Sequence, residues 1–388
     1  MKPREISITD QFAPRRPALL VVWLFTLAVL LMSLSGCDAR REYQAALVLA
    51  DIAAGTAPSR LKSVSAALRR TTVALTATGR TVAGDLYLSD PKPLAGLLLL
   101  PGAAEEGKDD PRLQAFAGSL ARAGFAVLVP DLEGFRSLRI SSNDIADTAD
   151  AFAWLLARED LAPEGRAGIF SFSYACGPAI LAALEPRIAG RVRFVMAVGG
   201  YHNLKEVLTF FTTGYYLQEG RLRHMEPNSY GRWVFVLSNV ALLSAPSDRR
   251  LFQQMAQRKL TDQRASVSDL AERLTPEGRS VYDFIENRDP ARSLLLMGRL
   301  PEPIRREIRA LDLSEYDLTR IRARFILVHG YDDDIIPFPQ SVALAENLPQ
   351  GSAKLYLVDG LQHVDLKPRA IDKYRLWRAV SELLRERE

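Results

Sequence analysis

Short apolar runs alternate with amphipathic segments along most of the chain after residue 70. The predicted strands are 71–78, 81–89, 94–100, 125–132, 167–172, 192–198, 325–329 and 354–358, and the predicted helices include 113–123, 144–157, 340–347 and 370–385. Fully apolar runs such as 94–100 indicate strands that are covered on both faces. Strands that alternate with helices predict an α/β fold, with a mostly parallel central sheet between two layers of helices.

Residues 201–321 interrupt this alternation with a helical, amphipathic composition that contains aromatic pairs such as Phe210-Phe211 and Tyr215-Tyr216. An insertion at this point lies over the carboxyl ends of the strands, where ligands bind in open α/β sheets. We therefore predict a helical cap over the site. Most of its aromatic side chains are expected to form the core of the cap, and a few to line a substrate pocket.

The first 37 residues have the pattern of an export signal. Basic residues precede an uncharged apolar run over 18–34, and Leu34-Ser35-Gly36-Cys37 follows. These four residues resemble the bacterial lipoprotein box, which implies cleavage before Cys37 and attachment of lipid, including palmitate, to that cysteine. The alternative is an uncleaved anchor, since 17 apolar residues lie at the short end of spanning length. Either way, we expect a bacterial cell-membrane location facing the periplasm or the outside of the cell.

The pattern divides the chain into five segments. They are a signal peptide over 1–36, an N-terminal stalk over 37–70, a first core part over 71–200, the cap over 201–321 and a second core part over 322–388.

Composition is that of a globular protein, with 48% hydrophobic and 25% charged residues among 388. The formal net charge is +4, of which residues 1–36 carry half, and no basic stripe is interleaved with aromatic residues. We therefore expect no nucleic-acid partner. No Cys/His cluster has metal-ligand spacing, so we expect no metal. Lipidation of Cys37 would leave Cys176 as the one remaining cysteine, with no disulfide.

Ser173 is the predicted nucleophile. It follows the strand 167–172 and precedes a helix rich in small residues. The residues two before and two after a nucleophile must be small where a strand turns sharply into a helix. For Ser173 they are Ser171 and Ala175; the alternative nucleophile, Ser171, has the bulky Ile169 in one of these positions. We expect a strained backbone at Ser173, which would hold the hydroxyl clear of the sheet.

Asp333 and His363 follow later strands, in the chain order Ser–Asp–His. The serine turn, the segment from His329 to Pro337 and the segment from Gly360 to His363 together resemble the α/β-hydrolase superfamily, from about residue 71 onwards. The resemblance implies that His363 is the general base and that Asp333 orients its imidazole. Asp332 and Asp334 are the alternatives for the acid, but the superfamily's acid stands three residues beyond the glycine.

Two backbone N–H groups are expected to stabilise the oxyanion. One is that of Tyr174, which follows the nucleophile, and the other is that of Ala103, in the loop after strand 94–100. A simple Pro-Gly turn at Pro101-Gly102 fits the residues of that loop equally well.

The predicted function is hydrolysis of a carboxylic ester through an acyl-enzyme, without a cofactor, on a small-molecule or lipid-like acyl substrate. Within enzymes, the alternatives are a lipase or acyltransferase acting on envelope lipids, or a peptidase with the same triad. Outside enzymes, the alternative is a non-catalytic envelope lipoprotein that uses the scaffold for binding.

Overall fold

The structure, a computed structural model, describes residues 38–90, 92–102, 106–362, 365–366 and 370–388. The strands are β1 Arg69–Ala77, β2 Arg80–Leu88, β3 Ala95–Leu100, β4 Phe125–Pro130, β5 Ala167–Phe172, β6 Phe194–Val198, β7 Tyr215–Gln218, β8 Arg221–His224, β9 Arg324–Gly330, β10 Ala353–Val358, β11 Leu361–Gln362 and β12 Asp365–Leu366. The helices are α1 38–54, α2 Arg60–Val64, α3 Pro111–Arg122, α4 Glu133–Arg136, α5 Asn143–Leu156, α6 Cys176–Ala182, α7 Leu204–Thr213, α8 Ser229–Asn239, α9 Pro246–Thr261, α10 Ser268–Ala271, α11 Pro276–Ile285, α12 Ser293–Arg299, α13 Glu302–Leu311, α14 Pro339–Asn347 and α15 Ala370–Arg385.

Within the described residues, eight strands form one sheet in the order β1-β2-β4-β3-β5-β6-β9-β10. From β4 to β10 every neighbouring pair is parallel, whereas β2 is antiparallel to both β1 and β4. The carboxyl ends of the parallel strands therefore meet at one edge of the sheet. This arrangement confirms the predicted α/β architecture.

The sheet is apolar on both faces because helices cover both of them. Along β3, Leu98 and Leu100 belong to the core cluster beneath α5 and α6, whereas Leu97 and Leu99 belong to the cluster beneath α3 and α15. Successive side chains of a strand point to opposite faces, so an uninterrupted leucine run fills two cores at once.

The segment between β6 and β9 contains helices α7 to α13, as expected for the cap, but it also contains a hairpin that the sequence analysis did not predict. Strands β7 and β8 pair in antiparallel register around the two-residue turn Glu219-Gly220. Both turn residues have positive φ, 52° and 72°, which is the geometry of a tight hairpin turn. The strands have four residues each and are largely exposed, so no apolar alternation marks them in the sequence.

Residues 38–64 pack on the core, where the sequence analysis predicted a stalk. Ala45 and Val48 of α1 and Leu61 of α2 are buried in the cluster beneath α3 and α15. Asp51 accepts hydrogen bonds from Ser119 Oγ and from Lys62 Nζ, each at 2.7 Å, so one buried carboxylate joins α1, α2 and α3. The sequence analysis did not foresee this packing, because the contacts that fold the segment come from residues distant in the sequence.

Helix α1 is also joined to the C-terminal helix. The Trp377 Nε1–H donates to the carbonyl of Glu42, and Ser381 Oγ donates to the Glu42 carboxylate, both at 2.8 Å. Arg41 pairs with Glu388 at 2.6 Å. None of the helices in the described part of the chain combines the length and the apolar character needed to cross a membrane.

We expect Leu61→Ala to lower the free energy of unfolding by about 2–4 kcal/mol, because it would leave a cavity in the core. Leu61 is 3% exposed, whereas Val64 of the same helix is 52% exposed. Val64→Ala is therefore the matched control, with an expected change within about 0.5 kcal/mol. Urea unfolding of both variants measures the difference, and equal small effects would mean that α2 contributes nothing to the core.

Candidate active site

The chain turns sharply at Ser173, at the carboxyl edge of the sheet. Strand β5 ends at Phe172, a 3₁₀ turn covers Ser173–Ala175, and α6 follows at Cys176. Ser173 is 3% exposed and has a φ of 53°, a left-handed conformation that costs a non-glycine residue roughly 1–3 kcal/mol. The strain that the sequence analysis expected at this residue is therefore present.

Ser171 lies two residues earlier, inside β5, in extended backbone. Its side chain is fully buried, and its hydroxyl donates to Cys176 Sγ at 3.3 Å. The thiol of Cys176 is equally buried, and desolvation raises its pKa to about 12. Ser171 thus contributes to the packing of β5 against α6, whereas the sharp turn lies at Ser173.

Close packing of α6 fixes the geometry of the turn. A Cβ atom on Gly177 would lie 2.0 Å from the hydroxyl of Tyr201, so no side chain fits at this position. Tyr201 is itself fixed, because its hydroxyl donates to the carbonyl of Leu311 at 2.9 Å. Ala175, at the small position predicted from the sequence, is completely buried.

Asp333 follows β9 in a loop that holds its carboxylate in one orientation. Its Oδ1 accepts hydrogen bonds from the backbone N–H groups of Ile335 and Ile336, both at 2.9 Å. Asp333 is 1% exposed, whereas Asp332 and Asp334 are both partly exposed. Of the three neighbouring aspartates, Asp333 is the one whose carboxylate is buried and held by the backbone.

His329, the second-last residue of β9, supports this loop, a role that the sequence analysis did not assign to it. Its Nε2 lies 2.7 Å from the carbonyl of Ile336 and 3.3 Å from Asp333 Oδ2. A carbonyl can only accept, so Nε2 carries a proton, and Nδ1 forms a second hydrogen bond with the Ser341 hydroxyl at 2.6 Å. The four-residue spacing of His329 and Asp333 is the sequence signal for this contact.

His363 lies outside the described residues, but the chain on either side of it is placed. Strand β11, Leu361–Gln362, pairs with β12, Asp365–Leu366. The carbonyl of Leu361 lies against Gly330, where a Cβ atom would be 2.1 Å away, and the N–H of Tyr331 donates to the carbonyl of Val358 at 2.8 Å. Val358 and Leu361 therefore lie next to the loop that carries Asp333.

The loop after β3 reaches the serine turn. A Cβ atom on Gly102 would lie 3.6 Å from Cβ of Ser173, so this backbone is in contact range of the predicted nucleophile. Ala103, the predicted second oxyanion donor, lies outside the described residues. Tyr174, whose N–H is the predicted first donor, stands in the 3₁₀ turn directly after Ser173.

A mainly apolar pocket of about 50 Å³ lies between the sheet domain and the cap. Ile140, Tyr174 and Tyr201 line it outside the cap helices, and residues from three cap helices line it as well, including Leu208 of α7, Phe235 of α8 and Ile308 of α13. The ring of Tyr174 also packs against Phe211, with centroids 5.8 Å apart. Burial raises the pKa of the Tyr174 hydroxyl well above its ordinary value.

Most of the cap aromatics form its core, as the sequence analysis expected: Phe210, Phe211 and Trp233 are buried there. Phe235 is partly buried and lines the pocket. Across the described ranges there is no group of three or more His, Cys, Asp or Glu side chains that could hold a metal ion.

The sheet order, the serine turn and the cap position define the α/β-hydrolase fold, and a solved structure with a TM-score above 0.5 agrees. A provisionally named hydrolase from Legionella pneumophila superposes with a TM-score of 0.53 at 14% identity, covering 83% of this chain and 88% of its own. Dienelactone hydrolase from Anabaena variabilis gives a TM-score of 0.43 at 15% identity, with 81% and 96% covered. An esterase from Pyrobaculum calidifontis gives 0.45 at 14% identity, with 96% and 98% covered.

The likeness to these structures is one of fold. No protein-family model matches the chain, and no curated protein matches it by sequence. The fold is therefore established by the structure, whereas the roles of Ser173, Asp333, His363, Ala103 and Tyr174 stay predictions.

The backbone strain at residue 173 is measurable. We expect Ser173→Gly to be more stable than Ser173→Ala by about 1 kcal/mol, because glycine adopts a φ near 53° without steric cost. The same pair of substitutions at Ser171 is the control. There the backbone is extended and glycine is expected to be less stable than alanine by about 0.5–1 kcal/mol. Urea unfolding measures the stability of all four variants. If glycine and alanine had the same order of stability at both positions, the assignment of strain to Ser173 would be contradicted.

Proposed function

We propose that the chain is a serine hydrolase that cleaves a carboxylic ester through an acyl-enzyme, with Ser173, His363 and Asp333 as its triad. The observation that carries the proposal is the strained turn at Ser173 together with a buried, doubly hydrogen-bonded Asp333, both at the carboxyl edge of the sheet. A serine hydroxyl needs an adjacent base to act as a nucleophile, and such a base in turn needs an orienting group.

The sheet order supports the spacing of this triad. Ser173 follows β5 and Asp333 follows β9, with the single strand β6 between them. Two strand spacings amount to about 10 Å, a gap that an imidazole hydrogen-bonded on both of its nitrogens can bridge. Leu361, two residues before His363, lies against Gly330 at the end of β9, which supports His363 as the base.

In the proposed reaction, Ser173 Oγ attacks the ester carbonyl carbon while His363 takes the hydroxyl proton. The C–O bond to the alcohol then breaks, and His363 returns the proton to the departing alkoxide. A water molecule, deprotonated by the same imidazole, attacks the acyl-enzyme and releases the carboxylic acid and free Ser173. Asp333 stabilises the imidazolium that forms in each half of the reaction.

The negative oxygen of each tetrahedral intermediate would be stabilised by the backbone N–H groups of Tyr174 and Ala103. The contact of Gly102 with Ser173 supports this proposal, because it brings the loop that contains Ala103 to the reacting centre. Each such donor typically contributes about 2.7–4 kcal/mol to stabilisation of the transition state.

An acyl substrate suits the pocket next to Tyr174. Its walls are mainly aliphatic and aromatic side chains, which suit a hydrocarbon chain, and they include Tyr174, the neighbour of Ser173 in the sequence. We therefore propose a small-molecule or lipid-like ester as the substrate class, cleaved without a cofactor.

A fluorophosphonate probe tests the proposal, because it reacts covalently with an activated serine and not with an ordinary one. We expect the wild-type protein to be labelled, Ser173→Ala to lose labelling completely, and Ser171→Ala to keep it. Hydrolysis of p-nitrophenyl esters of increasing acyl length should fall by at least about 10³-fold in Ser173→Ala. A folded wild-type protein that neither reacts with the probe nor hydrolyses any ester would instead be a binding protein.

We also propose that Cys37 is lipidated and attaches the domain to the cell membrane, facing the periplasm or the outside of the cell. The residues 34–37 and the apolar run before them support this proposal. In a bacterial host, metabolic labelling with a palmitate analogue should mark the wild-type protein and not Cys37→Ser. Equal labelling of Cys37→Ser and wild-type protein would contradict the proposed lipidation of Cys37. Cys176→Ser serves as the cysteine control.

A further inference from the structure

Exposed arginines cluster at the amino ends of β6 and β9, at the edge of the sheet opposite the serine turn. Arg191 and Arg193 precede β6, Arg322 precedes β9, and Arg324 is the first residue of β9. All four residues, named the edge arginines below, are exposed. The surrounding chain segments, 186–193 and 318–324, contain no aspartate or glutamate.

The backbone holds the edge arginines side by side. The N–H of Arg324 donates to the carbonyl of Arg193 at 3.0 Å, where β9 begins to pair with β6. A Cβ atom on Gly190 would lie 3.8 Å from Cδ of Arg322, so the turn before β6 also contacts the segment before β9. The edge arginines therefore belong to one continuous surface.

Partners within the fold neutralise only part of this charge. Arg324 pairs with Glu386 at 2.7 Å. Arg193 donates to the backbone carbonyl of Glu164 at 3.2 Å, whereas the carboxylate of Glu164 pairs with Arg166. In the part of the chain that the structure describes, Arg324 is the one edge arginine that forms an ion pair. The surface thus carries an excess of positive charge, which attracts an anionic partner.

The described chain begins at the same edge of the sheet. Glu388, two residues beyond the Glu386 that binds Arg324, pairs with Arg41 at 2.6 Å. Arg41 also pairs with Asp38, the first described residue. Three residues separate Asp38 from the apolar run 18–34. Whether that run remains as an anchor or a lipid on the preceding residue replaces it, the membrane would lie next to this edge.

We propose that the edge arginines dock the protein on anionic phospholipid headgroups of the membrane. A guanidinium group binds phosphate oxygens through two parallel N–H donors, and each basic residue next to an anionic bilayer strengthens binding. This contact adds to the proposed anchor at Cys37 and is independent of ester hydrolysis. Arg193 donates its N–H to Ala167 at the start of β5, and Ser173 follows the end of that strand, about 20 Å away.

The test measures binding of the full-length protein to two kinds of vesicle, one of phosphatidylcholine alone and one of equal parts phosphatidylcholine and phosphatidylglycerol. The ratio of the two affinities reports the effect of headgroup charge, because the segment before residue 38 is the same in every variant. We expect the wild-type protein to prefer the anionic vesicles at low salt. The edge triple, Arg191→Gln with Arg193→Gln and Arg322→Gln, should lower this preference at least about tenfold.

The matched control is a cap triple, Arg250→Gln with Arg264→Gln and Arg273→Gln. These arginines are also exposed, they form no ion pair with the described residues, and the triple removes the same three charges. It should keep the wild-type preference for anionic vesicles. Circular dichroism checks that both triples are folded. If the edge triple is not folded, Arg191→Gln alone decides, with an expected loss of about fivefold.

Equal preferences in the edge triple and the wild-type protein would overturn the proposal. Equal losses in the edge triple and the cap triple would also overturn it, because net charge and not this surface would then determine binding. The third contradicting result is a wild-type protein that binds a DNA duplex through the edge arginines but does not prefer anionic vesicles. Fluorophosphonate labelling should be the same in all folded variants, so loss of docking and failure of the hydrolase proposal are distinguishable.

Discussion

Helix α6 packs against the sheet at a distance that small residues alone permit, and the geometry of the candidate site depends on this contact. Gly177 lies against the Tyr201 hydroxyl, and Cys176 lies against Gly200 at the end of β6. The helix must therefore begin directly after β5, with no room for a gradual turn. The backbone meets this demand by a left-handed residue at Ser173, so the strain at the serine is a consequence of packing elsewhere.

A second constraint acts on the polar groups of the site. Asp333 is removed from water, yet two backbone N–H groups and the ring of His329 fix its carboxylate. Such a group needs no reorganisation of solvent when a positive charge forms beside it, which is the property that a charge-stabilising residue requires. His329, whose Nε2 lies 3.3 Å from Asp333 Oδ2, is held in its turn by hydrogen bonds with Ser341 and Ile336.

Local signals were sufficient to predict the framework of the fold from the sequence. The bounds of β5 agree with the prediction. The hairpin β7–β8 and the packing of residues 38–64 were missed, because exposed four-residue strands lack alternation and because Glu42 meets Trp377 across 335 positions. For the site, the sequence analysis expected the strained turn at Ser173, which the structure has, but not the contact of His329 with Asp333. The catalytic roles of Ser173, Asp333 and Tyr174 stay predictions, as do those of Cys37, Ala103 and His363, which lie outside the described residues.

The early start of the fold has a consequence for how an anchored form of the protein would meet its substrate. Helix α1 is already formed at residue 38, and Arg41 is buried against the end of the chain. A lipid on Cys37 would thus be joined to a rigid body without a flexible spacer. The reach of a tethered domain is set by its linker. With almost no linker, the domain could not sample the surrounding volume. It would encounter only molecules that diffuse in the same leaflet or immediately above it.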